Sequence, residues 1–453
     1  MTFVPEFAGP NEIDPNTSYR SGRLWLPKDK VNATAIKQSC TILVEDTRAN
    51  TSYQISMYEE TDTHLLVPRE MFPYEDLPRP VVGCVLDGDP YQFKSNITLR
   101  PNQAGAWESL NFARGGILNL GCGKGKTVLA MRKVVQIARA TVVIIPNTGL
   151  MSQWEGEARN KLLLKPMDIG VIQQNRFEWD RPFVLASLQT LARRARDGAI
   201  PREMQEHFGL AIWDEVHHLS APLFSLTAPL FLGQRLGLSA TPNRSDGLES
   251  IYMAHLGKIF HSDISNEITP RIYFHKLPTK LEMYDPRILD RIGNFNVGKF
   301  WRTLGEDNHR NKLMLLEIKK AMDMGRKVLA LSHSKAHVEM LHKIVPSAGL
   351  IDGEVPQRER QQILKKYPVV FATTQVAQEG LDAPMLDTIF FLTPFKEWNI
   401  VQQGVGRTLR AHEDKRHPVA VFFWDHEVLA AHAMCKAIMK EMRNRDWDFK
   451  VAG

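Results

Sequence analysis

The chain has 453 residues, room for two or three domains at about 100–200 residues each. With 43% hydrophobic and 24% charged residues its composition is globular, which excludes a disordered or fibrous chain, and no apolar run approaches the ~20 residues that cross a bilayer. A net charge of +6 suits a polyanionic partner, but carries weight only if a specific site points the same way.

Residues 1–10 hold Pro5, Glu6 and Pro10 where a signal peptide needs a basic and then an apolar stretch. Cys40, Cys84, Cys122 and Cys435 are scattered without Cys-x-x-Cys spacing, so a reducing, cytoplasmic setting is expected. Residues 1–95 are rich in Thr, Val, Ile and Tyr, and stretches 40–45, 53–58 and 64–67 read as short strands of a small β-rich accessory domain with its own core. Here Tyr19, Arg20, Arg23, Trp25, Lys28 and Lys30 interleave aromatic and basic side chains. That pattern reads either as a nucleic-acid surface or as a half-buried strand with a solvated edge.

From residue 96 the texture changes. Short β-branched runs at 141–146, 183–186, 210–214 and 236–239 read as buried strands, with helical spacing at 127–139 and 150–161 between them. Such alternation builds a doubly wound parallel sheet, and residues 96–262 are assigned to a first α/β lobe. Prolines and a Gly-Asn-rich stretch break the rhythm over 263–305, read as a connector. Alternation resumes over 306–453, with strands expected at 328–332, 369–372, 388–392 and 419–424. The predicted class is α/β: two parallel-sheet lobes preceded by a small β-rich domain.

Gly121, Cys122, Gly123, Lys124, Gly125, Lys126 and Thr127 follow an apolar run and open a helix. Glycines let backbone N–H groups converge on a phosphate at the positive end of a helix. Lys126 is expected to reach the β- and γ-phosphates of ATP, and the Thr127 hydroxyl to hold Mg²⁺. The strict pattern places Gly at position 120, where Leu120 stands. The competing reading is a Gly-Lys-rich surface turn. Asp214 and Glu215 close another expected strand, Asp214 for the metal and Glu215 for orienting and deprotonating the attacking water. His217 and His218 find no third zinc ligand at suitable spacing. Between His426 and His432, Ala430 occupies the position where a zinc-protease helix needs His.

In the second lobe, Gln403 is followed by Arg407 and Arg410. A loose phosphoryl-transfer transition state is stabilised by arginine delivered from another surface, and a cleft that closes on ATP and reopens after hydrolysis converts chemistry into movement. The alternative for these arginines is a solvated helix face.

With these motifs in order, the chain resembles the superfamily 2 helicases from about Leu99 to the carboxyl end. That resemblance implies two RecA-like lobes and further roles. Arg100 and Gln103 look like the adenine-reading element. Thr148 with Gln153 and Trp154, and Ser187 with Gln189, look like first-lobe strand-tracking segments. Ser239 and Thr241 are similar to the coupling segment. Thr373 and Thr374, with Gly380 and Asp382, look like the second-lobe element touching both backbone and ATP. Asp214-Glu215 followed by Val-His-His, and the run from Ser239 to Gly247, resemble the group holding the UvsW-type bacteriophage branch-migration helicases and the XPB-like repair helicases.

The resemblance and the motifs together lead to the expectation of an ATP- and Mg²⁺-dependent DNA helicase or translocase, a monomeric motor acting on branched or forked DNA with its first 95 residues helping to recognise it. If encoded by a phage, it would act in the bacterial host cytoplasm. An RNA helicase and an ATP-gated duplex translocase or remodeller that does not unwind are the alternatives. Stepping needs contacts indifferent to sequence, so Thr148, Ser187, Ser332, Thr373 and Thr374 are expected on the phosphates, although each could be an ordinary cap hydroxyl. Phe295, Lys299, Phe300 and Trp301 near Gly293 and Gly298 read as core packing ahead of a strand-separating wedge.

Overall fold

The computed structural model describes residues 13–46, 51–121, 123–240, 248–264, 270–375, 385–408, 416–444 and 447–452. It divides into two compact units, Met1–Ile264 and Ser265–Gly453. No helix among the described residues is long and apolar enough to cross a membrane.

The first unit is built on an eight-stranded sheet. Its order is Arg176–Phe177, Ile169–Gln173, Phe183–Ser187, Thr141–Ile145, Leu210–Trp213, Gln234–Ser239, Gly116–Leu120 and Ile259–Asp263. Every pairing is parallel except that of the short edge strand Arg176–Phe177. Helices cover both faces, so each strand buries alternate residues on opposite sides. Leu118, Val143, Leu185 and Ile212 join one apolar cluster, while Ile117, Val142, Val184 and Ala211 join the other. That two-sided burial is why these strands read as continuous apolar runs. All the carboxyl ends of the parallel strands lie along one edge, where ligands gather in open α/β sheets.

The β-rich segment forms a five-stranded sheet, ordered Glu59–Glu60, His64–Pro68, Arg23–Pro27, Ser18–Arg20, Val81–Gly83, and a separate hairpin of Thr41–Asp46 with Thr51–Ser56. Its core is drawn mostly from its own residues and extended by others from beyond it. Leu24, Leu26, Leu65 and Val67 pack in one cluster with Leu248 and Ile251, which lie beyond the boundary expected at residue 95. Of the two readings of the aromatic and basic interleave, the structure matches the half-buried strand. Tyr19, Arg23 and Trp25 are buried. Arg20 pairs with Glu70, Arg23 with Glu59 and Lys28 with Glu60, and the Lys30 ammonium donates to the carbonyls of Asn16 and Arg79. These cations are engaged within the fold.

The second unit carries a seven-stranded, all-parallel sheet in the order Gly349–Ile351, Val369–Thr373, Val328–Ser332, Thr388–Phe391, Val419–Asp425, Arg271–Leu277, Phe449–Ala452. The expected connector is thus corrected, because Arg271–Leu277 pairs along its whole length with Val419–Asp425. Its helix Val297–Glu306, capped by the Asn296 side chain, buries Phe300 and Leu304 against Ile288, Val428 and Ala431. Trp301 stacks on His333 at 3.8 Å and donates from Nε1 to the Pro394 carbonyl at 3.1 Å. Phe300 and Trp301 are packing residues, as their aromatic surface favours.

Three imidazoles, buried His255 and His337 and half-buried His333, give the fold a pH dependence. Burial pushes His333 and His337 down to about 3 and holds His255 well below its ordinary value. The unfolded chain therefore takes up protons first as pH falls through 6.5, the ordinary value for these rings. Stability present above that pH is lost progressively toward about 3. Melting temperatures scanned from neutrality down to about pH 5 should fall steadily; a flat profile contradicts the burial of neutral rings.

Candidate nucleotide site and strand-facing edge

The phosphate loop joins the strand Gly116–Leu120 to the helix Lys126–Ile137. Gly123 and Gly125 have φ of 82° and 81°, the left-handed region that favours glycine. At Gly125 a Cβ would also collide with the Gln103 amide. Gln103, nearly fully buried, accepts from the Arg100 amide at 2.9 Å and donates to the Lys124 carbonyl at 3.1 Å. The Arg100 guanidinium donates to the Gly123 carbonyl at 3.1 Å. Residues expected to read the base therefore also brace the loop. Lys126 Nζ donates to the Leu120 carbonyl at 2.9 Å, and Lys124 pairs with Asp263 at 2.5 Å, a partner the motif did not announce. Gly121 accompanies them, its amide donating to the Asp263 carbonyl at 2.9 Å, and Thr127 sits half-buried in the first helical turn. Cys122 lies outside the described residues.

The acidic pair follows the strand Leu210–Trp213. The Asp214 amide donates to the Ile144 carbonyl at 3.0 Å, anchoring it to the neighbouring strand. Its Oδ1 accepts from the Glu215 amide at 3.0 Å and its Oδ2 from Trp154 Nε1 at 2.7 Å. Burial, and then the adjacent Glu215 carboxylate, push Asp214 up to about 6, while Lys126 acts in the opposite direction. The loop lysine and the carboxylate pair thus share one field. Glu215 adopts φ 48°, a left-handed conformation that costs a non-glycine residue about 1–2 kcal/mol and that gathers at functional sites. Its buried Oε2 accepts no hydrogen bond, with His217 Nδ1 3.5 Å away. Buried acceptors are nearly always satisfied. Two adjacent carboxylates, one with an orphaned oxygen, form a hard donor set that fits a divalent cation such as Mg²⁺.

Along the same sheet edge, Thr148 is the exposed first residue of the helix Thr148–Lys161, capped by the Asn147 side chain. Ser187 caps the helix Leu188–Arg196, and Gln189 Nε2 donates to the Pro146 carbonyl at 2.6 Å. Ser187 ends its strand, and Thr148 follows three residues after the end of the neighbouring parallel strand Thr141–Ile145. Ser239, fully buried, ends the strand between the phosphate-loop and acidic-pair strands. Trp154, expected among the strand-tracking residues, is instead 1% exposed and bonded to Asp214.

In the second unit Ser332 and Thr373 are register partners. Ser332 is corrected: it is fully buried, its hydroxyl paired with His337 Nδ1 at 3.0 Å and accepting from the Ser334 amide at 3.1 Å, which leaves none for a phosphate. The buried Thr373 hydroxyl has no hydrogen-bond partner, and Thr374 is half-buried beside it. Gln403 and Arg407 fall on the helix Trp398–Thr408. Thr241, Gly380, Asp382 and Arg410 lie outside the described residues.

Two family profiles match, "Type III restriction enzyme, res subunit" over residues 96–244 and "Helicase conserved C-terminal domain" over 310–412. Among curated proteins, one of Acanthamoeba polyphaga mimivirus, named as a putative ATP-dependent RNA helicase, is 26% identical over 81% of this chain and 72% of its own length. A protein of Escherichia phage T5 named as a probable helicase is 27% identical over 67% of this chain and 66% of its length. The DNA 3'-5' helicase XPB of Kineococcus radiotolerans is 25% identical over 90% of this chain and 76% of its length.

Proposed function

This chain being an ATP-hydrolysing superfamily 2 helicase similar to XPB-type and viral members, we propose that it is a DNA translocase acting on forks or other branched duplexes. The observation that carries the ATP site is the Asp214–Glu215 pair, set beside Lys126 and left with an orphaned carboxylate oxygen. Thr127 and Asp214 would hold Mg²⁺, which supplies charge neutralisation on the phosphates. Lys126 and the loop amides hold the β- and γ-phosphates, and Glu215 takes the proton from the attacking water. Arg100 and Gln103 read the base; Gln403, Arg407 and Arg410 are assigned to stabilising the charge on the transferring phosphoryl group. Thr148, Ser187, Thr373 and Thr374 grip the strand through its phosphates, without reading sequence.

DNA is favoured over RNA by the resemblance to the XPB-type helicase, while the mimivirus relative, named as an RNA helicase, supports the second reading. Steady-state ATP hydrolysis with no polymer, single strand, linear duplex, a fork, a four-way junction and RNA separates them. Strongest stimulation by fork or junction supports the proposal; stimulation by RNA alone moves the chain to the second reading. Strand displacement on a naked fork then distinguishes unwinding from translocation alone. In the same assay Glu215→Gln should lower stimulated turnover about 100-fold, the range for removing a general base. Near-normal turnover would take the proton-transfer role away from Glu215.

A further inference from the structure

Trp154 does more than fill a core. A phenyl or aliphatic group would supply apolar volume there; the indole adds a donor, and that donor reaches a carboxylate. Trp154 Nε1 lies 2.7 Å from Asp214 Oδ2, and both residues are buried. A donor bonded to an anionic acceptor in a water-poor setting is the stronger kind of hydrogen bond. With the Glu215 amide on Oδ1, each oxygen has one donor, so the carboxylate plane is fixed while each oxygen retains a lone pair for a hydrated cation.

The two ends of this contact belong to different elements. Asp214 is pinned to the sheet through the Ile144 carbonyl. Trp154 rides on Thr148–Lys161, whose exposed first residue, Thr148, is six positions away, about 9 Å along the axis. A helix moves as a rigid body, and a shift of about 1 Å at the indole takes a hydrogen bond out of range. We propose that Trp154 is a positioning residue that fixes Asp214 for the nucleotide-bound divalent cation and ties that orientation to the helix presenting Thr148 to nucleic acid. The inference rests on the assignment of Asp214 to the metal made above.

The test uses the full chain in two forms. One is Trp154→Phe. The other carries 3-benzothienylalanine at position 154, which keeps the indole shape, replaces N–H by sulfur, and decides the question if the smaller Phe disturbs folding. Three readouts are compared with wild type: the Mg²⁺ titration of hydrolysis at saturating ATP, the rise in melting temperature caused by a non-hydrolysed ATP analogue with Mg²⁺ or with EDTA, and stimulation by single-stranded DNA. The half-saturating Mg²⁺ concentration should rise about tenfold, as on losing a group that orients a metal ligand. The Mg²⁺-specific part of the thermal shift should shrink, the EDTA part should hold, and DNA stimulation should fall.

A merely structural role lowers the active fraction without moving the Mg²⁺ midpoint. An unchanged midpoint and unchanged Mg²⁺-specific shift in the benzothienyl form therefore overturn the proposal. A moved midpoint with intact DNA stimulation overturns the tie to the helix and leaves the positioning role standing. Asp214→Asn is the control: if the Mg²⁺-specific shift survives in it, the metal assignment has failed rather than the role of Trp154.

Discussion

Replacing Lys126 by alanine should reduce ATP hydrolysis by about 10³-fold or more, the upper range for removing one preorganised charge-stabilising group. At rest Lys126 makes one described hydrogen bond, to the Leu120 carbonyl. It stands at the start of the helix Lys126–Ile137, where alanine is at least as good a helix former. The folded state therefore loses little, and the melting temperature without nucleotide should stay near wild type. What disappears is the ammonium assigned above to the phosphates, the same charge that acts on Asp214. DNA binding, assigned above to Thr148, Ser187, Thr373 and Thr374, should persist. Lys124→Ala is the informative contrast. That ammonium is paired with Asp263, so its loss should cost far less turnover. Hydrolysis surviving Lys126→Ala would mean the ATP site lies elsewhere.

The sequence was most legible where structure and chemistry impose the same letters. Strands such as Thr141–Ile145 bury both faces, so their apolar runs announce themselves, and a phosphate loop must combine glycines with a lysine at a helix start. Arg271–Leu277 was missed because Arg, Tyr, His and Lys interrupt its apolar residues and prolines flank it; only its register against Val419–Asp425 reveals a strand. Hydroxyl chemistry was readable at Ser332, but its complete burial beside His337 depends on residues contributed by other elements. Trp154 carried the opposite ambiguity. A Gln-Trp pair in a strand-tracking motif suggests exposure, and nothing local tells that the indole turns inward to Asp214. The strain at Glu215 is equally silent in sequence, because a positive φ on a non-glycine residue is a tertiary outcome.

Residues 1–95 read from sequence as a small accessory domain with its own core that helps recognise DNA, a part whose loss should spare basal hydrolysis. The structure leads to the opposite result: deleting them should abolish basal ATPase by unfolding the first unit. Fully buried Arg235 donates to the carbonyls of Phe231, His255 and Gly22, the last at 2.6 Å. Arg69 donates to the carbonyls of Leu232 and Gly233, and the Glu70 amide to that of Ala254. At Gly22 a Cβ would collide with the Pro229 carbonyl, so the two backbones touch there. Deletion strips these partners and exposes Leu248 and Ile251. Arg235 begins the seam inside the strand Gln234–Ser239, which lies between the phosphate-loop strand and the acidic-pair strand. Damage at this seam therefore reaches both halves of the candidate ATP site. A milder form of the same experiment is Arg235→Met, which leaves three buried carbonyls short of a donor and should cost about 3 kcal/mol or more. Circular dichroism melts and basal ATPase of both variants check this. A truncated chain that melts cooperatively near wild type and retains hydrolysis would restore the first 95 residues as an independent module, and the seam would then be a docking contact between separately folded parts.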